Sequence, residues 1–359
     1  MFLRNCWYMA GWSRDFTVGT LAGVTMLNDP IVIYRRSDGS LAALQDRCCH
    51  RFAPLSSGRV EGDDLRCMYH GLKFAPSGKC IEIPGQPKIP PQACVRAYPI
   101  VDKYSGAWIW MGDPSLADES LIPDFVGIDN PRWAMHPGRM DYNANYMLIN
   151  DNLLDLSHLA FLHQKSFGAA FAGSRSERWA ETRPRITKLT RGMRIERWQM
   201  YNDPPAFVPA VKEAASVTDQ WTAYDFIVPG VFLLRSEIFP AGTAEKCNEG
   251  PPPADVEPLH AQFTCQAVTP LTDKSTCYFF AYGPRVKEAA LKDAFLELGQ
   301  MAFREDREMI EAQQKNIDRY PNDKMMTISF DSGLAQFRRM MDDLMRAESE
   351  SASTAAAGR

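Results

Sequence analysis

Four of the six histidines fall into two short patterns whose residue types bind transition metals. Cys48-x-His50 is followed, after sixteen residues, by Cys67-x-x-His70. Further along comes Asp155-x-x-His158-x4-His163. In the first pattern each of two loops offers one thiolate and one imidazole. Two cysteines suit one iron of a [2Fe–2S] cluster and two histidines suit the other, and replacing two anionic thiolates by neutral imidazoles raises the reduction potential. A zinc site of two cysteines and two histidines is the competing reading. Zinc fingers pair Cys with Cys and His with His along the chain, whereas the order here is Cys-His twice. Gly58 and Gly71, one after each loop, let the backbone come close to the cluster. Cys49 lies between two of these positions and is expected to turn away and pack.

In the second pattern Asp155 and His158 share a helix face. His163 lies five residues beyond His158, about 140° away on an ideal helix. A distorted helix, or a helix end, is needed to bring both imidazoles to one metal. Two histidines and a carboxylate with open positions suit a single Fe(II) that must admit O2 and substrate. Three carboxylates are candidates: Asp155, Asp151 one turn away, and Asp306 in an amphipathic segment near Met301, Phe303, Met309 and Ile310. Spacing alone favours a solvated charge for Asp306, and two satisfied core histidines are the bland reading of His158 and His163.

These patterns must be held by a chain of 359 residues, long enough for two cores. A net charge of −4 gives no reason to expect nucleic acid. No apolar run approaches the roughly 20 residues of a membrane helix, and the N-terminus has no cleavable signal pattern, so a cytoplasmic location is expected. Nine cysteines, an odd number, argue against a disulfide framework. Residues 1–115 read as a small all-β domain, with strands at Ile31–Tyr34, Leu41–Leu44 and Ala107–Met111 and a turn at Asp38-Gly39. Gly112 to Pro137 reads as a linker. Residues 116–347 form the second domain: helical from Tyr146 to His163, then strands over Ile186–Met200, Trp221–Phe239 and His260–Tyr282, then amphipathic helices over Lys287–Arg319 and Ala335–Ala347. Residues 348–359 are expected to be a disordered tail.

With these residues in place, the chain resembles the oxygenase components of Rieske non-haem iron aromatic-ring oxygenases. Three stretches carry the likeness: Cys48 to Ser56 with Arg66 to Phe74, Asp151 to His163, and Glu305-Asp306 with Glu311 to Gln314. Within that family it is most similar to the vanillate O-demethylase group, which includes dicamba demethylase-like and toluenesulfonate methyl-monooxygenase-like members. The resemblance implies an α+β fold, an N-terminal all-β Rieske [2Fe–2S] domain followed by a helix-grip catalytic domain with a curved antiparallel sheet. It implies a cluster on Cys48, His50, Cys67 and His70, and a mononuclear Fe(II) on His158, His163 and Asp306. Asp155 then becomes a bridge, carrying electrons from His70 of a neighbouring subunit in a head-to-tail homotrimer. It further implies an NAD(P)H-dependent flavin/iron–sulfur reductase as partner, with O2 and a small aromatic acid as substrates. The expected reaction is hydroxylation of a methyl group, foremost O-demethylation of vanillate-like methoxybenzoates with release of formaldehyde. Methyl hydroxylation of an arene sulfonate is the alternative. A Rieske electron-transfer protein without mononuclear iron is a third reading. Arg235 is a candidate anion partner, with an exposed structural arginine as the plainer reading. Strands Ile227–Phe239 and Phe263–Val268 and the helix around Phe303 are the expected pocket walls.

Overall fold

The computed structural model describes residues 1–163, 166, 182, 184–205, 208–328 and 331–357. The chain forms two compact units. One comprises Met1–Asp124, Thr269–Ser275 and Ala347–Arg359, and the other Phe125–Val268 and Thr276–Arg346. The first unit continues past residue 115 because later residues are tied into it. The Trp7 indole donates to the Asp118 carbonyl at 2.8 Å, and the Tyr104 hydroxyl donates to Asp124 at 2.9 Å.

Strands of the first unit are short: β1 (Trp7–Trp12), β2 (Ala22–Met26), β3 (Asp29–Arg35), β4 (Leu41–Gln45), β5 (Arg59–Glu61), β6 (Asp64–Arg66), β7 (Lys73–Phe74), β8 (Cys80–Glu82), β9 (Ala97–Tyr98), β10 (Ile100–Lys103) and β11 (Gly106–Trp110). They make three antiparallel sheets ordered β1-β11-β10, β2-β3-β4-β9 and β5-β6-β7-β8. The hairpin expected at Asp38-Gly39 joins β3 to β4, with Arg35 opposite Leu41. Gly39 takes φ +87°, a left-handed conformation that a side chain would strain. Val32, Tyr34, Leu44, Leu55, Leu65, Leu72 and Phe74 pack into one core with Cys48 and Cys67 among them. Each such apolar side chain contributes about 1.5–3 kcal/mol. The two loops that carry the Cys-His pairs are thereby anchored at their cysteine ends.

A seven-stranded antiparallel sheet dominates the second unit: β12 (His136–Tyr142), β13 (Arg185–Leu189), β14 (Gly192–Asn202), β15 (Thr218–Ile227), β16 (Val231–Pro240), β17 (His260–Thr272) and β18 (Ser275–Pro284). β13 to β18 follow one another as a meander, and β12 pairs with β18 at the far edge. The stretch expected as a linker therefore ends inside a strand. The segment read as helix before the sheet divides into α1 (Tyr146–Leu154), a 3-10 turn at Leu156–His158 and α2 (Leu159–Leu162). After the sheet come α3 (Lys292–Arg319) and α4 (Ser332–Ala357).

On α3 the buried positions are Phe295, Gly299, Ala302, Phe303, Asp306, Ile310 and Gln314, a single helical stripe. Phe303 meets the rings of Tyr278 and Phe280 at 5.3 and 4.7 Å, so this stripe lies on the sheet. Gly299 permits the approach, since a Cβ there would lie 3.3 Å from the Tyr282 ring. Phe337 of α4 covers the same face at Phe226, 4.6 Å away. Residues 348–357, expected to be disordered, instead continue α4 as helix. Their run of alanines has the highest helix propensity, and an established helix propagates into it without a new nucleus. The last two residues of that expected tail lie outside the described residues. Among the described residues no helix is long and apolar enough to cross a membrane.

Candidate metal centres

The two Cys-His loops repeat one backbone design. The Cys48 N–H donates to the Ala53 carbonyl at 2.9 Å and its carbonyl accepts from the Phe52 N–H at 2.9 Å. Likewise the Cys67 N–H donates to Leu72 at 2.9 Å and its carbonyl accepts from Gly71 at 3.1 Å. The residue four beyond each cysteine is left-handed, Phe52 at φ +58° and Gly71 at +76°. Arg47 stacks over the Phe52 ring at 4.3 Å, a contact that offsets part of that strain. Arg66 ties the second loop down, donating to the Gly71 carbonyl at 2.7 Å while paired with Glu61 and Glu82. At Gly58 a Cβ would fall 2.3 Å from the Arg66 carbonyl oxygen, so the turn closes only on glycine.

These loops bring both cysteines inward and both histidines out. Cys48 and Cys67 are buried, His50 and His70 are exposed, and the two imidazoles meet edge-on at 4.5 Å. Burial, with the Cys67 sulfur close by, pushes the Cys48 thiol up to about 12. Two adjoining buried thiols cannot both ionise unless a cation joins them, which is the chemistry of an iron–sulfur cluster. Cys49 is partly buried and packs against the core that contains Cys48 and Cys67.

At the second pattern the chain breaks where the two imidazoles need it to. Asp155 is extended (φ −108°, ψ 97°) and ends α1. Its Oδ1 accepts the Ser157 N–H at 2.8 Å, capping the 3-10 turn that carries His158. His163 then ends α2, and the rings of His158 and His163 stand 5.1 Å apart. Asp306 reaches both from α3: its Oδ1 lies 3.4 Å from His158 Nε2 and 3.3 Å from His163 Nε2. One ligand atom from each of the three lies within 4.8 Å of the others, a set that can hold one metal ion.

Behind these atoms the imidazoles are fixed. His158 Nδ1 faces the Asp155 carbonyl. His163 Nδ1 lies 2.8 Å from Glu305 Oε2, which also accepts the Ser166 hydroxyl at 2.6 Å. Such contacts set the tautomer and aim Nε2 at a metal. The Asn152 amide donates to Asp306 Oδ1 at 2.9 Å. Burial raises the Asp306 carboxyl, but hydrogen bonds and charge from the two histidines outweigh it and hold the group at about 2. For His163 burial acts downward, and Asp306 and Glu305 together raise it.

The three carboxylate candidates thus separate. Asp306 joins the histidines and is buried, contrary to the solvated charge that spacing favoured. Asp151 pairs with Arg338 of α4. Asp155 spends an oxygen on its cap and lines a groove of about 460 Å³ with Asn152, His158, Leu162, Met309 and Arg338. Glu305, Asn152 and Ser166 were given no role by sequence reasoning. Adjacency of Glu305 to Asp306 was the available signal. Arg235 is exposed, its guanidinium 6.0 Å over the Trp221 ring, on the sheet face opposite Phe226 and Phe232.

A cluster-type pair of Cys-His loops in an all-β unit, and an open set of two histidines and one carboxylate in a second unit, define the class of Rieske oxygenases with mononuclear iron. Comparison with known proteins agrees. Residues 6–99 match the Rieske [2Fe-2S] domain and residues 142–347 the vanillate O-demethylase oxygenase C-terminal domain. The chain is 40% identical to the toluene-4-sulfonate monooxygenase system iron–sulfur subunit of Comamonas testosteroni, over 97% of this chain and 98% of that one. It is 31% identical to a vanillate O-demethylase oxygenase subunit from a Pseudomonas species, over 99% and 98%. The crystal structure of dicamba monooxygenase bound to 3,6-dichlorosalicylic acid superposes with a TM-score of 0.84 at 26% identity, covering 97% of this chain and 99% of that one. The chain belongs to the vanillate O-demethylase group of Rieske oxygenase components. It is a monooxygenase component that carries a [2Fe–2S] cluster and a mononuclear iron and depends on a reductase.

Proposed function

We propose that this oxygenase hydroxylates a methyl or methoxy group on a small aromatic anion, with Cys48, His50, Cys67 and His70 holding the cluster and His158, His163 and Asp306 holding the iron. Convergence of His158 Nε2, His163 Nε2 and Asp306 Oδ1 on one point, with both imidazoles fixed from behind, supports this reading above all else. The cluster supplies electrons singly and the iron supplies O2 activation. The protein's own groups do the rest. Glu305 keeps His163 in one tautomer, Asn152 fixes the Asp306 carboxylate, and the buried sheet face excludes water from the substrate.

Vanillate-type methoxybenzoates led on sequence. The 40% identity to a toluene-4-sulfonate monooxygenase subunit, against 31% for the vanillate enzyme, moves an arene-sulfonate methyl group ahead. Exposed His50 and His70 on one unit, and Asp155 in a groove beside His158 on the other, suit electron passage between neighbouring copies of a homotrimer. A flavin/iron–sulfur reductase using cytoplasmic NAD(P)H fits as the electron source.

The test supplies purified oxygenase with a reductase and NADH, offers toluene-4-sulfonate and vanillate, and scores retained alcohol against formaldehyde. His158→Ala should abolish both products and leave the cluster spectrum intact. Turnover by that variant would overturn the iron assignment.

A further inference from the structure

A hydrogen-bond relay on the sheet face opposite Trp221 leaves the hydroxyl hydrogen of Tyr224 uncommitted. Tyr224 of β15 lies opposite Leu234 of β16, which lies opposite Thr264 of β17. On that face the Gln266 amide nitrogen donates to the Tyr224 oxygen at 2.7 Å, and the Gln266 amide oxygen accepts from the Tyr278 hydroxyl. Tyr224, Gln266 and Tyr278 are 4%, 2% and 1% exposed. Tyr278 stands edge-on to Phe303, one turn of α3 before Asp306. The Asp306 carboxylate is near enough for its charge to act on both phenols, which burial already raises.

The direction of the relay decides the matter. A glutamine amide has a donor end and an acceptor end. Its acceptor end takes the Tyr278 hydrogen, so that hydrogen is committed. Its donor end fills a lone pair of Tyr224, so the Tyr224 hydrogen must go elsewhere, and among the described residues it has no acceptor. A buried donor without a partner is destabilising and persists where a function uses it.

We propose that Tyr224 donates this hydrogen to an anionic oxygen of the aromatic substrate and so positions its ring, with Gln266 aiming the hydroxyl. This rests on the aromatic-anion reading above and names the residue that recognises the anion. Arg235, on the opposite face, is not needed for it. A site built to donate a hydrogen bond discriminates strongly against a ligand that lacks the acceptor.

The experiment uses the cluster- and iron-loaded oxygenase. Anaerobic binding and kcat/KM are measured for toluene-4-sulfonate and vanillate, and binding for 4-methylanisole, which keeps the methyl and methoxy groups without the anion. Tyr224→Phe retains the ring, and melting temperature reports its folding. It should weaken binding and kcat/KM for the anion by about ten- to a hundredfold and change 4-methylanisole binding by less than about twofold. Gln266→Leu, which leaves the hydroxyl unaimed, should shift the same preference in part and serves if Tyr224→Phe does not fold. Equal loss for anion and neutral probe, or a selective loss in Tyr278→Phe in place of Tyr224→Phe, would overturn the assignment. Wild-type enzyme that bound neither anion would overturn the aromatic-anion reading itself, and this one with it.

Discussion

Glu305 and Asp306 are consecutive on α3, yet they approach His163 from opposite ends of its ring: Glu305 Oε2 lies 2.8 Å from Nδ1, and Asp306 Oδ1 lies 3.3 Å from Nε2. The imidazole is held like a plate between two carboxylates, one offered to a metal and one behind it. Removing the rear contact leaves all three proposed ligands in place and frees only the ring. Glu305→Ala should therefore lower iron affinity about 10–100-fold, with Glu305→Gln closer to wild type because its amide oxygen can still accept from Nδ1. Iron titration of the apo-protein measures this. Unchanged affinity in Glu305→Ala would show that packing alone orients His163.

Gly58 gives a test that concerns only the cluster unit. Its Cβ would be 2.3 Å from a backbone oxygen that belongs to Arg66, the residue before Cys67. Backbone cannot swing aside as a side-chain tip can, so Gly58→Ala must push the two loops apart. Cluster absorbance per chain should fall to well under half, while the iron content of the second unit stays. Gly62→Ala is the matched control: that glycine has positive φ, but nothing lies within 4 Å of its added Cβ. Its cost is backbone strain alone, about 1 kcal/mol.

A pH effect follows from His260 and Glu288, whose Nδ1 and Oε1 are 2.8 Å apart. Burial acts to raise the Glu288 carboxyl, but the hydrogen bonds and charges of His260 and Arg285 outweigh it and leave the group below its usual value of 4.5. A depressed carboxyl contributes stability that is present above its unfolded pKa and is lost as pH falls through the folded one. Glu288→Gln should lower the melting temperature by about 2–6 °C at pH 7, corresponding to about 1–2 kcal/mol. The gap between wild type and variant should narrow as the pH falls below 4.5, through the depressed folded-state value. Calorimetry at both pH values checks it, and a gap independent of pH would assign the loss to packing.

Residue type and spacing made the two Cys-His loops and the His158–His163 pair readable, because their partners are close in sequence. The hairpin at Gly39 and the long helix were readable for the same local reason. Asp306 was harder. Its position on the buried stripe with Phe303 and Ile310 is a local fact, but what neutralises it is His158 and His163, well over a hundred residues earlier. Glu305, Asn152 and the Tyr224–Gln266 contact are likewise pairings between distant elements, which no local pattern encodes. The tail read as disordered because its serines, glutamates and small alanines offer no large apolar side chain to bury, whereas α4 needed only helix propensity to continue through them.

Asn152 offers a way to separate metal binding from folding. Its amide donates to Asp306 Oδ1 at 2.9 Å and stands 3.5 Å from His158 Nε2. Asn152→Asp replaces a donor by a second carboxylate of nearly the same shape. Without metal, two carboxylates at that separation repel, and one is forced to take a proton or the site opens. With iron bound, the same pair becomes additional negative charge beside a dication. The variant should therefore melt below wild type when treated with chelator and recover more than wild type when iron is restored, since a ligand that binds only the folded state stabilises by mass action. The comparison is of the two iron-dependent shifts in melting temperature, not of the absolute values. If Asn152→Asp lowered both temperatures equally, the amide would be supporting the α1–α3 contact and not the charge at the metal.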